Sequence, residues 1–119
     1  MEKICVVGLG YVGLPLATAL SEFYEVVGIE INTNKKDQLL NGFDANNQVS
    51  QQELLRKLKT NLSISDSYVD ALDCTIYIVT VPTPVLGNYK PDMTACIASY
   101  QKISKILRSN DIVVLESTV

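Results

Sequence analysis

The segment Lys3-Ile-Cys-Val-Val-Gly8-Leu-Gly10-Tyr-Val-Gly13 sets an apolar run directly against Gly-x-Gly-x-x-Gly. This arrangement suits a buried strand that turns tightly into a helix. Gly8 permits the turn, Gly10 leaves room for the backbone to approach a bound group, and Gly13 lets the helix pack against the strand. N–H groups at the start of that helix point outward without partners, and together with the helix dipole they favour an anion. A second strand-like run, Glu25-Val-Val-Gly-Ile-Glu30, closes on a carboxylate about 20 residues past the turn.

Together these features predict a dinucleotide site in which the turn holds a pyrophosphate and Glu30 accepts hydrogen bonds from a ribose diol. A carboxylate at that position repels a 2′-phosphate, which favours NAD over NADP. Lys35 and Lys36 lie close enough in sequence to keep NADP open as an alternative.

Several other chemistries are excluded or disfavoured. The chain contains no histidine, which removes Ser-His and Cys-His nucleophile pairs and most zinc sites, and no metal is expected. A net charge of −3 without a basic cluster argues against nucleic acid as a partner. Cys5, Cys74 and Cys96 are widely spaced, and Cys5 and Cys74 lie in apolar runs; all three read as reduced core thiols, in keeping with a cytoplasmic location. No signal peptide precedes the first strand, and no apolar run approaches the roughly 20 residues a membrane span needs.

At 119 residues the chain is one domain with room for a full core. Apolar runs alternate with helical patterns, predicting strands over 3–7, 25–30, 62–65, 74–81 and 112–116. The first helix is expected over 11–22, with Pro15 near its start, and a second follows a cap at Asn32 or Thr33 and ends at Gly42. After the polar connection 43–50 come a short helix over 51–59 and a turn of helix over 67–72. The last helix runs from a cap at Asp92 to Arg108, with Met93, Cys96, Ile97, Tyr100, Ile103 and Leu107 assigned to the core. The fold class is α/β: a Rossmann-type parallel sheet of order 3-2-1-4-5 with helices on both faces and a crevice at the carboxyl ends of the strands.

Two more segments reach that edge. Val81-Pro-Thr83-Pro84 ends strand 4 on a backbone stiffened by two prolines, and Thr83 is a candidate cofactor contact. Glu116-Ser-Thr118-Val119 ends strand 5 with hydroxyls near the expected nicotinamide. Tyr89 reads as a surface residue. The chain stops directly after strand 5, so 1–119 is expected to be a fragment whose apolar strand edge favours self-association.

Val7-Gly-Leu-Gly-Tyr-Val-Gly-Leu-Pro-Leu-Ala17, Gly28-Ile-Glu-Ile-Asn32, Val81-Pro-Thr-Pro84, Pro91-Asp-Met-Thr94 and Asp111-Ile-Val-Val-Leu-Glu-Ser-Thr-Val119 together resemble the UDP-glucose/GDP-mannose dehydrogenase family. Asn41-Gly-Phe-Asp44 and the strand-4 sequence look most like its UDP-N-acetylhexosamine 6-dehydrogenases of surface-polysaccharide synthesis, in particular the Vi-polysaccharide type acting on UDP-N-acetylglucosamine.

The resemblance implies two successive NAD-dependent oxidations of a sugar C6 hydroxyl to a carboxylate, through a cysteine thiohemiacetal and thioester. By position it implies cofactor contacts at Gly8, Gly10, Tyr11, Val12, Gly13, Glu30, Lys35, Thr83 and Thr118. Thr118 is also implied as an auxiliary catalytic residue beside the nicotinamide and the catalytic water. Glu30 stands where Asp is commoner in the family. The family's Gly-Gly-x-Cys nucleophile motif, UDP-binding domain and dimer-forming central helix match nothing in this chain. The resemblance therefore implies that this fragment does not turn over alone, and that a UDP-sugar partner and a homodimer or larger assembly belong to a full-length protein. The alternatives are a non-enzymatic nucleotide-sensing module and a domain of another β-hydroxyacid-type dehydrogenase.

Overall fold

A computed structural model describes residues 2–84 and 86–116. Five strands, β1 (Lys3–Val7), β2 (Glu25–Ile29), β3 (Leu62–Ser65), β4 (Ile76–Val79) and β5 (Ile112–Leu115), form one parallel sheet of order β3-β2-β1-β4-β5. Four helices connect them: α1 (Gly13–Leu20), α2 (Thr33–Leu40), α3 (Gln51–Leu58) and α4 (Thr94–Ser104). A single 3-10 turn, Tyr68–Ala71, precedes β4.

The alternation of side chains along each strand divides the core in two. Ile4 and Val6 of β1 join Val26, Leu62 and Ile64 on one face, covered by Leu14 and Ala17 of α1, Leu39 of α2 and Leu54 of α3. Cys5 and Val7 join Val27, Ile29, Tyr77 and Val79 on the other, covered by Ala71 and by Cys96 and Ile103 of α4. Helices cover both faces of the central strands, which is why β1, β2 and β4 read as continuous apolar runs.

All three cysteines are free and buried. Hydrogen bonding with Cys74, reinforced by burial, pushes the Cys5 thiol well above its ordinary range, so it is held inert. The Tyr77 hydroxyl donates to the Ala71 carbonyl at 3.1 Å and so carries its polar end through the core. Lys57 on α3 is buried and pairs with Glu22 just beyond α1, and this contact holds the Glu22 carboxyl below its usual range.

The helix ends follow local chemistry. The Asn32 side chain accepts from the Lys35 N–H at 3.1 Å, which decides between the two expected caps, and Ser50 accepts from Glu53 at 3.2 Å. Gly42 ends α2 in the left-handed region at φ +84. Strand limits differ from expectation by one or two residues, within the ordinary fraying of element ends.

Two helix expectations are corrected and one is refined. α1 begins at Gly13 rather than residue 11, because the glycine turn occupies the chain as far as Val12, and it ends at Leu20 where successive turns begin. The turn of helix expected over 67–72 is present, as a 3-10 turn over Tyr68–Ala71 capped by Ser67. α4 spans Thr94–Ser104, with Met93 at the cap position and Asp92 instead accepting from the Thr94 N–H and hydroxyl.

α4 also buries fewer apolar residues than its pattern suggested. Its inward stripe is Cys96, Ser99 and Ile103, with Met93 and Tyr100 alongside. Ile97 lies about 100° around the helix from Cys96 and is 53% exposed, and Leu107 lies past the helix end and is 43% exposed. On β5, Ile112 and Leu115 are also exposed. Among the described residues no helix is long and apolar enough to cross a membrane.

Burial of Ile103 and exposure of Ile97 set a direct contrast. Ile103→Ala is expected to lower stability to urea by about 2–5 kcal/mol, and Ile97→Ala by less than about 1 kcal/mol. Equal losses would contradict the orientation of α4.

Candidate functional site

The carboxyl ends of β1, β2 and β4 open into a cleft of about 760 Å³, floored by the glycine turn and walled by α2 on one side and α4 on the other. Its floor is fixed by contacts that admit no side chain. Gly8 takes φ +90 and donates its N–H to the Ile29 carbonyl at 2.8 Å. A Cβ on Gly13 would stand 1.8 Å from the Gly8 carbonyl oxygen and 2.3 Å from Thr80 Oγ1, so the helix can start here only with glycine. The first helical turn is thereby pressed onto the end of the strand. At Gly10 a Cβ would meet only Lys35 Nζ, at 3.5 Å, and the backbone faces the open cleft.

Thr80 locks this turn from the neighbouring strand. Its hydroxyl lies 2.6 Å from the Gly8 carbonyl and 3.0 Å from the Val7 carbonyl, donating its single hydrogen between them, while its own N–H donates to Val7 at 2.8 Å. Leu9 is fully buried and packs over Gly28, where a Cβ would come within 2.8 Å of its side chain. The turn is thus held from β2 and β4 at once. Among the described residues nothing accepts from the N–H groups of Gly10, Tyr11, Val12 and Gly13. Four donors at the positive end of a helix can together receive a diphosphate.

Glu30 is 8% exposed and is engaged before any ligand arrives. One carboxylate oxygen accepts from the Leu9 N–H at 3.1 Å and the other from the Asn32 N–H at 3.2 Å, while Lys35 Nζ stands 3.8 Å from the first. Each oxygen keeps a lone pair for a hydroxyl donor. The carboxylate therefore braces the glycine turn as well as facing the cleft. Lys35, on the first turn of α2, reaches over Gly10.

The remaining sequence candidates fall as follows. Tyr11 and Val12 line the cleft, with exposed side chains. Thr83 is half-buried in the cleft wall, beside Pro82 and Pro84. Glu116 lines it from the end of β5, whereas Thr118 lies outside the described residues. Tyr89 is 90% exposed and away from the cleft.

Besides Asn46, two residues take part in this wall that the sequence does not mark as site residues. Thr80 falls within the expected strand 74–81, and its hydroxyl near the end of an apolar run is the signal that sets it apart. Tyr68, from the 3-10 turn, lines the cleft beside Ser99, and burial pushes its phenol up despite an opposing hydrogen bond to Ser99, keeping it protonated.

A parallel sheet reversing at β1, with a glycine turn feeding a helix and an acid closing β2, defines a dinucleotide-binding Rossmann domain. The model of the UDP-glucose/GDP-mannose dehydrogenase family, NAD binding domain, matches residues 2–119. The chain belongs to this family and is its NAD-binding domain. It is 42% identical to a UDP-N-acetyl-D-glucosamine 6-dehydrogenase of Pseudomonas aeruginosa, over 98% of this chain and 27% of that protein. Against the enzyme of the same name from Salmonella typhi the identity is 38%, with the same coverage. Among solved structures, a UDP-D-ManNAc dehydrogenase from Pyrococcus horikoshii superposes with a TM-score of 0.91 at 26% identity, covering 99% of this chain and 29% of that one. A ternary complex of GDP-mannose dehydrogenase from Pseudomonas aeruginosa gives 0.85 at 28%, covering 98% and 28%. The chain spans about a quarter of the length of the curated relatives it matches.

Thr80→Val keeps the side-chain shape and removes the donor to Gly8 and Val7. Stability to urea is expected to fall by about 1–3 kcal/mol, and a change below about 0.5 kcal/mol would contradict the bracing role.

Proposed function

We propose that this chain is the cofactor domain of a longer NAD-dependent nucleotide-sugar 6-dehydrogenase, one that oxidises the C6 hydroxyl of a UDP-N-acetylhexosamine to a uronate for surface polysaccharide. The observation that carries the cofactor part is the row of unpartnered N–H groups from Gly10 to Gly13 in a cleft that Glu30 also lines. In this reading the N–H groups hold the diphosphate, Lys35 adds a cation beside it, and Glu30 accepts from the adenosine ribose. Glu30 is fixed by the Leu9 and Asn32 N–H groups, so it cannot swing aside for a 2′-phosphate, which supports NAD over NADP.

Thr83 and Thr118 are proposed to meet the cofactor on the β4–β5 side. NAD, when bound, supplies the hydride acceptor; this domain binds and orients it. The nucleophile and the sugar-reading residues belong to the other three-quarters of such an enzyme. The UDP-N-acetylhexosamine assignment rests on the names of the relatives, which include UDP-N-acetyl-D-glucosamine and UDP-N-acetyl-D-mannosamine dehydrogenases. The free buried thiols suit a cytoplasmic protein, and the exposed Ile112 and Leu115 on β5 suit an edge covered by further chain or by a partner copy.

Isothermal titration calorimetry is expected to detect NAD binding, with NADP at least about 10-fold weaker. Glu30→Ala is expected to weaken NAD about 10-fold or more and to narrow the gap to NADP. Absence of NAD binding at millimolar concentration, with no rise in Tm, would overturn the reading.

A further inference from the structure

The segment 43–50, which the sequence offers only as a polar connection, is organised by one buried side chain. The Asp44 carboxylate accepts from the N–H groups of Asn46 at 2.9 Å, Gln48 at 2.8 Å and Val49 at 3.0 Å. Its carbonyl accepts from the Asn47 N–H at 3.1 Å, and Asn47 takes φ 52, a left-handed conformation that asparagine tolerates. Val49 packs on the core and Ser50 caps α3, so the far end of the loop is anchored too. Charge-assisted bonds of this number make a fixed loop.

The consequence is the placement of Asn46. It is half-buried in the wall of the cofactor cleft, on the α2 side that also carries Glu30 and Lys35. Its N–H is taken by Asp44 and its carbonyl by the Gln48 side chain at 3.1 Å. Among the described residues its carboxamide has no hydrogen-bond partner.

We propose that the Asn46 carboxamide is a further cofactor contact, donating to an oxygen of the adenosine-diphosphate half of the dinucleotide, and that Asp44 is its positioning residue. The half is chosen by topology, because this loop follows α2 on the β2–β3 side of the glycine turn, away from β4 and β5. A neutral donor also suits a wall where Glu30 and Lys35 already balance in charge. The proposal rests on the NAD reading above.

Calorimetric titration of the chain with NAD and with ADP tests it. Asn46→Ala leaves the backbone bonds of the loop in place and is expected to fold and to weaken both ligands about 5- to 10-fold. Asn46→Asp should weaken them further by presenting a carboxylate to the phosphates. Asp44→Asn should weaken both, and adding it to Asn46→Ala should cost no further affinity, since both act on one contact. Wild-type binding with Asn46→Ala within about 2-fold for both ligands, or a loss for NAD without one for ADP, overturns the proposal and leaves the NAD reading standing. Additive losses in the double variant overturn the role of Asp44. A wild-type chain that binds neither ligand overturns both readings.

Discussion

Everything at the cleft depends on the approach of the Gly13 α-carbon to the Gly8 carbonyl, a space in which a Cβ would stand 1.8 Å from oxygen. That contact seats the first turn of α1 directly on the end of β1 and leaves four consecutive N–H groups facing the cleft. Thr80 and Glu30 fasten the same turn from β4 and β2. The anion site is therefore a property of backbone held rigidly by its neighbours, and needs no cluster of basic side chains. A chain of net charge −3 can host it.

This arrangement links packing to recognition. Leu9 lies buried over Gly28, and the same turn passes its N–H to Glu30, so the residue proposed to read the ribose also supports the residue that fills the core. Loss of Glu30 would disturb the turn as well as the proposed ribose contact. For this reason the affinity and stability of Glu30 variants have to be compared together.

Much of this was legible in the sequence because it is local. Strand order follows from alternating elements and crossovers, a cap at Asn32 or Thr33 and the left-handed Gly42 follow from residue type, and the glycine turn announces itself by spacing. What was not legible depends on which residues meet across the sheet. Thr80 matters because its hydroxyl meets the Val7 and Gly8 carbonyls across the sheet, and its place at the end of an apolar run hints at a departure from the core without naming those partners. Asp44 looks like a loop acid until its carboxylate is seen to gather three N–H groups. Ile97 has the periodicity of a core residue, yet the α4 stripe that meets the sheet is narrow enough to leave it outside.

The central claim is that the backbone of the glycine turn receives the diphosphate of NAD, and amide NMR reports on those donors directly. Titration of the 15N-labelled chain with NAD is predicted to shift the resonances of Gly10, Tyr11, Val12 and Gly13 most strongly, with smaller shifts at Leu9 and Asn32 through Glu30. Shifts confined to other parts of the molecule, or none at saturating NAD, would contradict the account.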